Sequence, residues 1–295
     1  MREITADNVA DYLRQTGRLA PAESVRARQL TGGVSNEVLR LEFSAADRPD
    51  LVLKQARPQL RTAATWHCTI ERIWRETAFL RRCGELLPAG SVPAIDFEDR
   101  DNYLFAMSAA PADHSVWKAD LLAGRLVPPL AARAGQLLAA LHAGSWRHPD
   151  DAARFADREV FHNLRLDPYY RFTADRCPGA ANHFQQLIAA TDAHPLALVH
   201  ADFSPKNLLV FRDPSTAAND TASTLLLVDY ETGHFGDPAF DLGFFTSHLL
   251  LKAFHNSPRA HDFLDIVDRF YAAYAAGVRP HIAAADYAAL VRRGA

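Results

Sequence analysis

The sequence predicts an α+β chain in two lobes, a β-rich N-terminal one and a mainly helical C-terminal one. Three observations carry this expectation. Short strand-like runs bounded by turn residues fill most of the first 110 positions. After Pro111 the character changes to Ala/Leu-rich segments with helical periodicity. A small strand-rich insert, LALVH and NLLVF followed by TLLLVDY, then interrupts the helices.

Taken in order, residues 5–16 predict a helix, with Thr5 as N-cap, Val9, Tyr12 and Leu13 on one face and Gly17 as the stop. In LTGGVSNEVLRLEF the Gly32-Gly33 turn precedes a strand made by Val38, Leu39, Leu41 and Phe43. DLVLKQA is a further strand with Lys54 near its end. Ile70, Ile73, Trp74, Thr77 and Leu80 recur at helical spacing, so residues 68–82 read as a helix. SVPAIDFEDRDNYLFAMSAA reads as two strands about a polar turn, Glu98 to Asn102. The expected division is an N-terminal lobe over 1–107, a linker over 108–114 and a C-terminal lobe over 115–295. In that second lobe PPLAARAGQLLAALHAGSW and residues 182–192, 239–253 and 261–275 are helical in pattern. RDPSTAANDTAST, between two of the insert strands, has the low hydrophobicity of a disordered loop.

Bulk properties exclude several classes of function. A net charge of -3 offers no basic field for nucleic acid. The three cysteines, Cys68, Cys83 and Cys177, are odd in number and have no metal-ligand spacing, which fits a reduced, cytoplasmic protein. MREITADNVADYLRQTGR lacks the apolar core of a signal peptide, and no apolar run reaches the roughly 20 residues a membrane span needs. The histidines show no H-x-x-x-H pairing, so no zinc site is expected.

Four features with chemical content follow one another along the chain. They are the glycine turn of LTGGVSNEVLRL, Lys54 at a strand end, Glu76 at the edge of the next helix's apolar face, and the pair HADFSPKN and LVDYETGHFGDPAFDLGFF. Phosphoryl transfer asks for such parts: a backbone cover and a cation for the triphosphate, hard oxygen ligands for Mg²⁺, and a carboxylate to orient the attacking hydroxyl. Asn207, Asp229 and Glu231 suit Mg²⁺. Asp202 suits the hydroxyl. Lys54 would contact the phosphates with Glu76 as its partner, and Lys206 and Ser204 could reach the transferred phosphoryl or the acceptor. Each has a plainer reading. Asp202 and Asn207 are turn formers, Glu231 is a loop acid, Glu76 a helix-surface acid and Lys54 a snorkelling strand-end lysine.

The order glycine loop, strand lysine, helix glutamate, H-x-D-x4-N and strand-Asp resembles the protein-kinase-like fold. Within it, HADFSPKN and VDYE resemble the aminoglycoside phosphotransferase / choline kinase superfamily, over about residues 28 to 250. LTGGVSNEV and VLKQARPQLRTAATWHCTIERIWRETAFLRR are similar to methylthioribose kinases. The resemblance implies ATP and Mg²⁺, with Thr31, Gly32, Gly33, Ser35 and Asn36 over the phosphates. It also implies a hinge in YLFAMSAAP where backbone around Met107 to Ala109 meets the adenine edge. Asp241 matches an acid that ties down the catalytic loop, and His200 is expected to bond backbone near the Asp229 loop. Protein kinases carry an Arg where this chain has Ala201, and no A-P-E segment is present. The acceptor is therefore a small hydroxylated molecule: a sugar such as methylthioribose, an amino alcohol, or an aminoglycoside. A non-catalytic nucleotide-binding protein is the alternative of another class, against which stands the retention of Asp202, Asn207 and Asp229. The sequence carries no signal for oligomeric state.

Overall fold

The computed structural model describes residues 1–30, 36–57, 69–212 and 223–294. The candidate phosphate-loop residues Thr31, Gly32, Gly33 and Ser35, together with Trp66, Cys68 and most of the polar loop after 212, lie outside them. The chain forms two compact units, residues 1–81 with 93–110, and residues 82–92 with 111–295. The N-terminal unit is thus discontinuous in sequence, because 82–92 belong with the second unit.

The first unit is built on a five-stranded antiparallel sheet. Helix α1 (Val9–Gln15) precedes β1 (Val25–Gln29), β2 (Asn36–Phe43) and β3 (Leu51–Ala56). Helix α2 (Arg72–Leu86), β4 (Ile95–Asp99) and β5 (Leu104–Ser108) follow. The strand order is β1-β2-β3-β5-β4. Leu39, Leu41, Leu53, Leu104 and Ala106 alternate onto one face and pack with Val9, Tyr12 and Leu13 of α1 in a single buried cluster. The helix begins later than its sequence suggests. Asn8 Oδ1 accepts the Thr5 N–H at 3.0 Å, so Thr5 sits in a turn before α1 and does not cap it.

The second unit starts with β6 (Ser115–Val116), α3 (Trp117–Leu122), α4 (Pro128–Gly144) and α5 (Pro149–Arg154). The short α6 (Glu159–Phe161) runs into a π-helical turn, His162–Arg171, that contains Pro168. Proline has no N–H to give to an α-helical ladder, and the wide turn accommodates it. Next come α7 (Phe172–Arg176), α8 (Ala181–Ala193), β7 (Ala197–Val199), β8 (Leu208–Arg212), β9 (Ser223–Leu227) and β10 (His234–Gly236). The chain ends in α9 (Pro238–His255), α10 (Ala260–Val278) and α11 (Ala284–Gly294). β7 pairs with β10, and β6, β8 and β9 make a second small sheet.

Helices α4 and α10 form the most extensive packing of the unit. Gly135 allows it, since a Cβ there would overlap the Phe270 carbonyl oxygen. Phe245 of α9 bridges α10, α3 and the loop after β7 through Phe270 at 4.3 Å, Trp117 at 5.9 Å and Phe203 at 5.3 Å between ring centroids. Helix α11, which the sequence pattern does not announce, is fastened by Arg293. Its guanidinium donates to both oxygens of Asp237 at 2.9 and 3.0 Å, and Asp237 caps α9 by accepting the Ala239 N–H. Among the described residues no helix is long and apolar enough to cross a membrane.

Candidate active site

In the first unit, β3 presents Lys54 within the ladder between Val38 and Phe105. Its ammonium lies 2.7 Å from Glu76 Oε1 on α2, and both side chains are buried. Glu76 stands one turn after Arg72, whose guanidinium donates to the Arg57 carbonyl at 3.0 Å and to Asn36 Oδ1 at 3.3 Å. Asn36, the one candidate phosphate-loop residue among those described, is therefore held at the start of β2.

Ala109, at the expected hinge, continues the sheet. Its N–H donates to the Asp50 carbonyl at 3.0 Å, and the Ser108 N–H donates to Ala94 at 2.8 Å. Met107 pairs with Val52 and Ile95 inside the sheet. The N–H groups of Ser108 and Ala109 extend the sheet ladder.

In the second unit, HADFSPKN forms a tight loop between β7 and β8. Asp241 of α9 accepts the N–H groups of His200 and Ala201, both at 2.8 Å, which fixes the loop backbone. Ala201 takes the left-handed conformation, φ 58°, at a position that carries a side chain. Asp241 is braced in turn by His142 Nε2 at 3.3 Å, while His142 Nδ1 meets the Tyr274 hydroxyl at 2.9 Å. The His200 ring, expected to bond backbone near the Asp229 loop, bonds within its own loop. Its Nδ1 accepts the Asp202 N–H at 3.3 Å, and the ring packs on Tyr230 at 5.0 Å. Burial lowers its pKa from the ordinary 6.5, which keeps the ring neutral. The link to the following turn runs instead from the Thr232 hydroxyl to the His200 carbonyl.

Asp202 is buried, and its contacts converge on one oxygen. Asn207 Nδ2 donates to Oδ2 at 2.8 Å, Arg165 Nη2 lies 2.7 Å from it, and Lys206 Nζ lies 2.8 Å from it. Arg165 is a residue the sequence reading misses. Its Nε donates to the Ala201 carbonyl at 2.9 Å and its Nη1 to Leu164 at 2.7 Å, so the guanidinium spans loop and helix. A signal existed in FHNLRLDPYY, an arginine between leucines on a stretch otherwise fit for burial.

Asn207 ends the loop and Asp229 follows β9. The β8–β9 ladder pairs Leu208 with Leu227, and the Val228 N–H donates to the Asn207 carbonyl at 3.0 Å, so both residues stand at one end of the hairpin. Asp229 is itself left-handed, φ 69°, a costly conformation of the kind that clusters at functional sites. Asn207 uses its amide N–H groups on Asp202, with a second bond to the Asp202 carbonyl at 3.0 Å, and its Oδ1 remains an acceptor. Glu231 is buried two residues on. Among the described residues no three His, Cys, Asp or Glu side chains gather as a metal cage. An amide oxygen and carboxylates at a hairpin end nevertheless fit Mg²⁺, a hard cation that takes few protein oxygens and completes its shell with water and phosphate. Ser204 is fully buried, and its hydroxyl has no partner among the described residues.

The sequence model described as the phosphotransferase enzyme family matches residues 26–290. The chain belongs to that family. A methylthioribose kinase of Erwinia tasmaniensis is 26% identical over 273 residues, covering 85% of this chain and 66% of its own length. One from Cronobacter sakazakii is 28% identical over 271 residues, with the same coverage. The chain thus spans just under two thirds of the length of the curated relatives it matches. Two solved structures share the fold. A macrolide 2'-phosphotransferase from Brachybacterium faecium has a TM-score of 0.55 at 21% identity, covering 97% of this chain and 88% of the other. A choline/ethanolamine kinase family protein from Mesorhizobium loti has a TM-score of 0.51 at 20% identity, covering 96% and 80%.

Proposed function

We propose that this chain is a small-molecule kinase that moves the γ-phosphoryl group of ATP to a hydroxyl of a small metabolite. The observation that carries the reading is the Asp202 carboxylate, buried and anchored through one oxygen by Asn207, Arg165 and Lys206. A carboxylate so held has one oxygen fixed and the other able to accept the hydroxyl proton as the acceptor attacks. Family membership supports phosphotransfer, and the methylthioribose kinase relatives support a sugar as acceptor.

The remaining roles follow from chemistry. Asn207 Oδ1 and the Asp229 carboxylate would hold a divalent cation, with Glu231 as a further oxygen donor. When bound, that cation neutralises charge on the phosphate oxygens as the phosphoryl group leaves. Lys54 offers its ammonium to the phosphates, and Glu76 keeps it extended from β3. Lys206, exposed and next to Asn207, offers a second cation to the group in transfer. Ser204 offers a hydroxyl to the same place. Arg165 touches neither reactant and acts by positioning Asp202.

The test is Asp202→Ala. ADP release coupled to acceptor should fall by about 10²–10⁴-fold or more, the usual contribution of a positioned acid–base group. MgATP binding, measured by calorimetry, should persist. Near-normal turnover in this variant would overturn the assignment. An acceptor panel of methylthioribose, other sugars, amino alcohols and aminoglycosides then names the substrate type. MgATP binding with no release from any of them would favour the non-catalytic reading.

A further inference from the structure

Asp202 has two cations in contact with it, Arg165 and Lys206, and further cations lie on the helices packed beside its loop. Lys252 is the telling residue. It lies on α9 seven residues after Phe245, whose ring faces Trp117 and Phe203, and four before Asn256, whose amide reaches the Leu121 carbonyl at 3.5 Å. That places Lys252 on the stripe of α9 that faces α3 and the catalytic loop. It is only 5% exposed, and its ammonium donates to the His248 carbonyl in its own helix, at 2.8 Å. No carboxylate pairs with it among the described residues. A buried ammonium without a counterion costs stability, so a sequence that keeps one gains something else from it.

Its neighbours have the same sign. Lys118 of α3 is tied to the loop by its backbone N–H, which donates to the Pro205 carbonyl at 2.9 Å. Lys206 follows in sequence and touches Asp202. His248 stands one turn before Lys252 on α9. Burial, and then the charges of Lys252, Lys206 and Lys118, bring its pKa down to about 4, so its ring is neutral, a hydrogen-bonding group near Asp202 and these cations. Burial and the Lys118 charge lower Lys252 to about 8, which still leaves it protonated at neutral pH.

We propose that Lys252, with Lys118 and His248, forms an acceptor subsite for an oxyanion, so that the acceptor is a hydroxylated metabolite bearing a carboxylate or phosphate group. This rests on the phosphotransfer reading for its mechanism and adds the charge of the substrate. A polycationic antibiotic or a quaternary amino alcohol meets repulsion here. An oxyanion supplies the missing counterion, accepts from the Lys252 ammonium and leaves the acceptor hydroxyl to Asp202.

The test uses four related ligands: glucose, glucosamine, gluconate and glucose 6-phosphate. Binding is measured by calorimetry and turnover by ADP release at saturating MgATP. Gluconate or glucose 6-phosphate should bind at least about tenfold more tightly than glucose, the worth of one charge-assisted hydrogen bond, with glucosamine weakest. Which of the two is preferred separates a carboxylate from a phosphate. Lys252→Met should erase the preference while leaving the KM for MgATP unchanged, and Lys118→Gln, at an exposed position, should weaken it in part. Glucose or glucosamine binding as tightly as the anions would overturn the proposal. So would a preference that survives Lys252→Met, or an effect of that variant on MgATP alone, which would assign the cations to the nucleotide. Anion-selective binding without ADP release would sink the phosphotransfer reading and leave the subsite standing. Turnover of neutral or cationic members without anion preference would do the reverse.

Discussion

Each unit of this protein buries one lysine, and the two are treated differently. Lys54 in the N-terminal sheet is 4% exposed and has the Glu76 carboxylate 2.7 Å away. Lys252 in the C-terminal helices is 5% exposed, and among the described residues its ammonium bonds only a helix carbonyl. The first is ion-paired with a carboxylate on the neighbouring helix. The second has no carboxylate partner among the described residues and feels the charge of Lys118. The difference teaches that burial alone does not define a lysine's task. A paired lysine is held for a ligand whose place the pair fixes, whereas an unpaired one is completed by a ligand's own charge.

The comparison breaks most sharply under substitution. Lys54→Met leaves Glu76 buried without its ion partner and should cost about 3–5 kcal/mol of stability in denaturant titration, along with activity. The double variant Lys54→Met/Glu76→Leu should recover most of that stability and none of the activity. If the double variant were as unstable as the single one, the pair would not be the source of the loss.

Lys252→Met should move stability the other way. The fall of its pKa from 10.5 to about 8 on folding disfavours the charged form by about 3 kcal/mol, and a methionine of similar length removes that cost at neutral pH. The pH dependence has a definite sign. Between about pH 8 and 10.5 the unfolded chain keeps the Lys252 proton that the folded chain has released, so stability rises with pH across that window. Thermal melts from pH 7 to 10 should show this contribution in the wild-type protein and not in Lys252→Met. A variant less stable than wild type at pH 7 would mean that the ammonium has a counterion after all.

The two lysines were also unequally legible. Lys54 and Glu76 could be found because a strand of period 2 and a helix of period 3.6 place each at a position fixed by local pattern, and HADFSPKN and VDYE announce themselves by residue type and spacing. Lys252 sits in LLLKAFH, where the sequence looks like any charged residue on an amphipathic helix. Only the packing of Phe245 on Trp117 and Phe203 shows that this stripe faces inward. Arg165 was hidden for the same reason, since its meeting with Asp202 depends on a π turn that local periodicity does not encode. The bond from the Ala109 N–H to the Asp50 carbonyl was hidden too, because its two ends lie far apart in sequence. Tertiary partners, not local propensity, decided each of these.

Arg165 offers the mildest and most discriminating test, because it should change positioning without changing what is bound. Its guanidinium reaches three groups at once: the Ala201 carbonyl, the Leu164 carbonyl and Asp202 Oδ2. A lysine carries its charge as a point and can satisfy one or two of these at most. Arg165→Lys should keep the ion pair with Asp202 and lose the span between loop and π turn, lowering kcat about tenfold, or about 1.4 kcal/mol, with the KM for MgATP unchanged. Arg165→Gln, which also loses the charge, should fall further in kcat. The order wild type, lysine, glutamine is what a positioning residue requires. If Lys and Gln were equally impaired, only the planar fork would matter. If KM rose while kcat held, Arg165 would be contacting a reactant, and its place beside Asp202 would have to be read as part of the acceptor site.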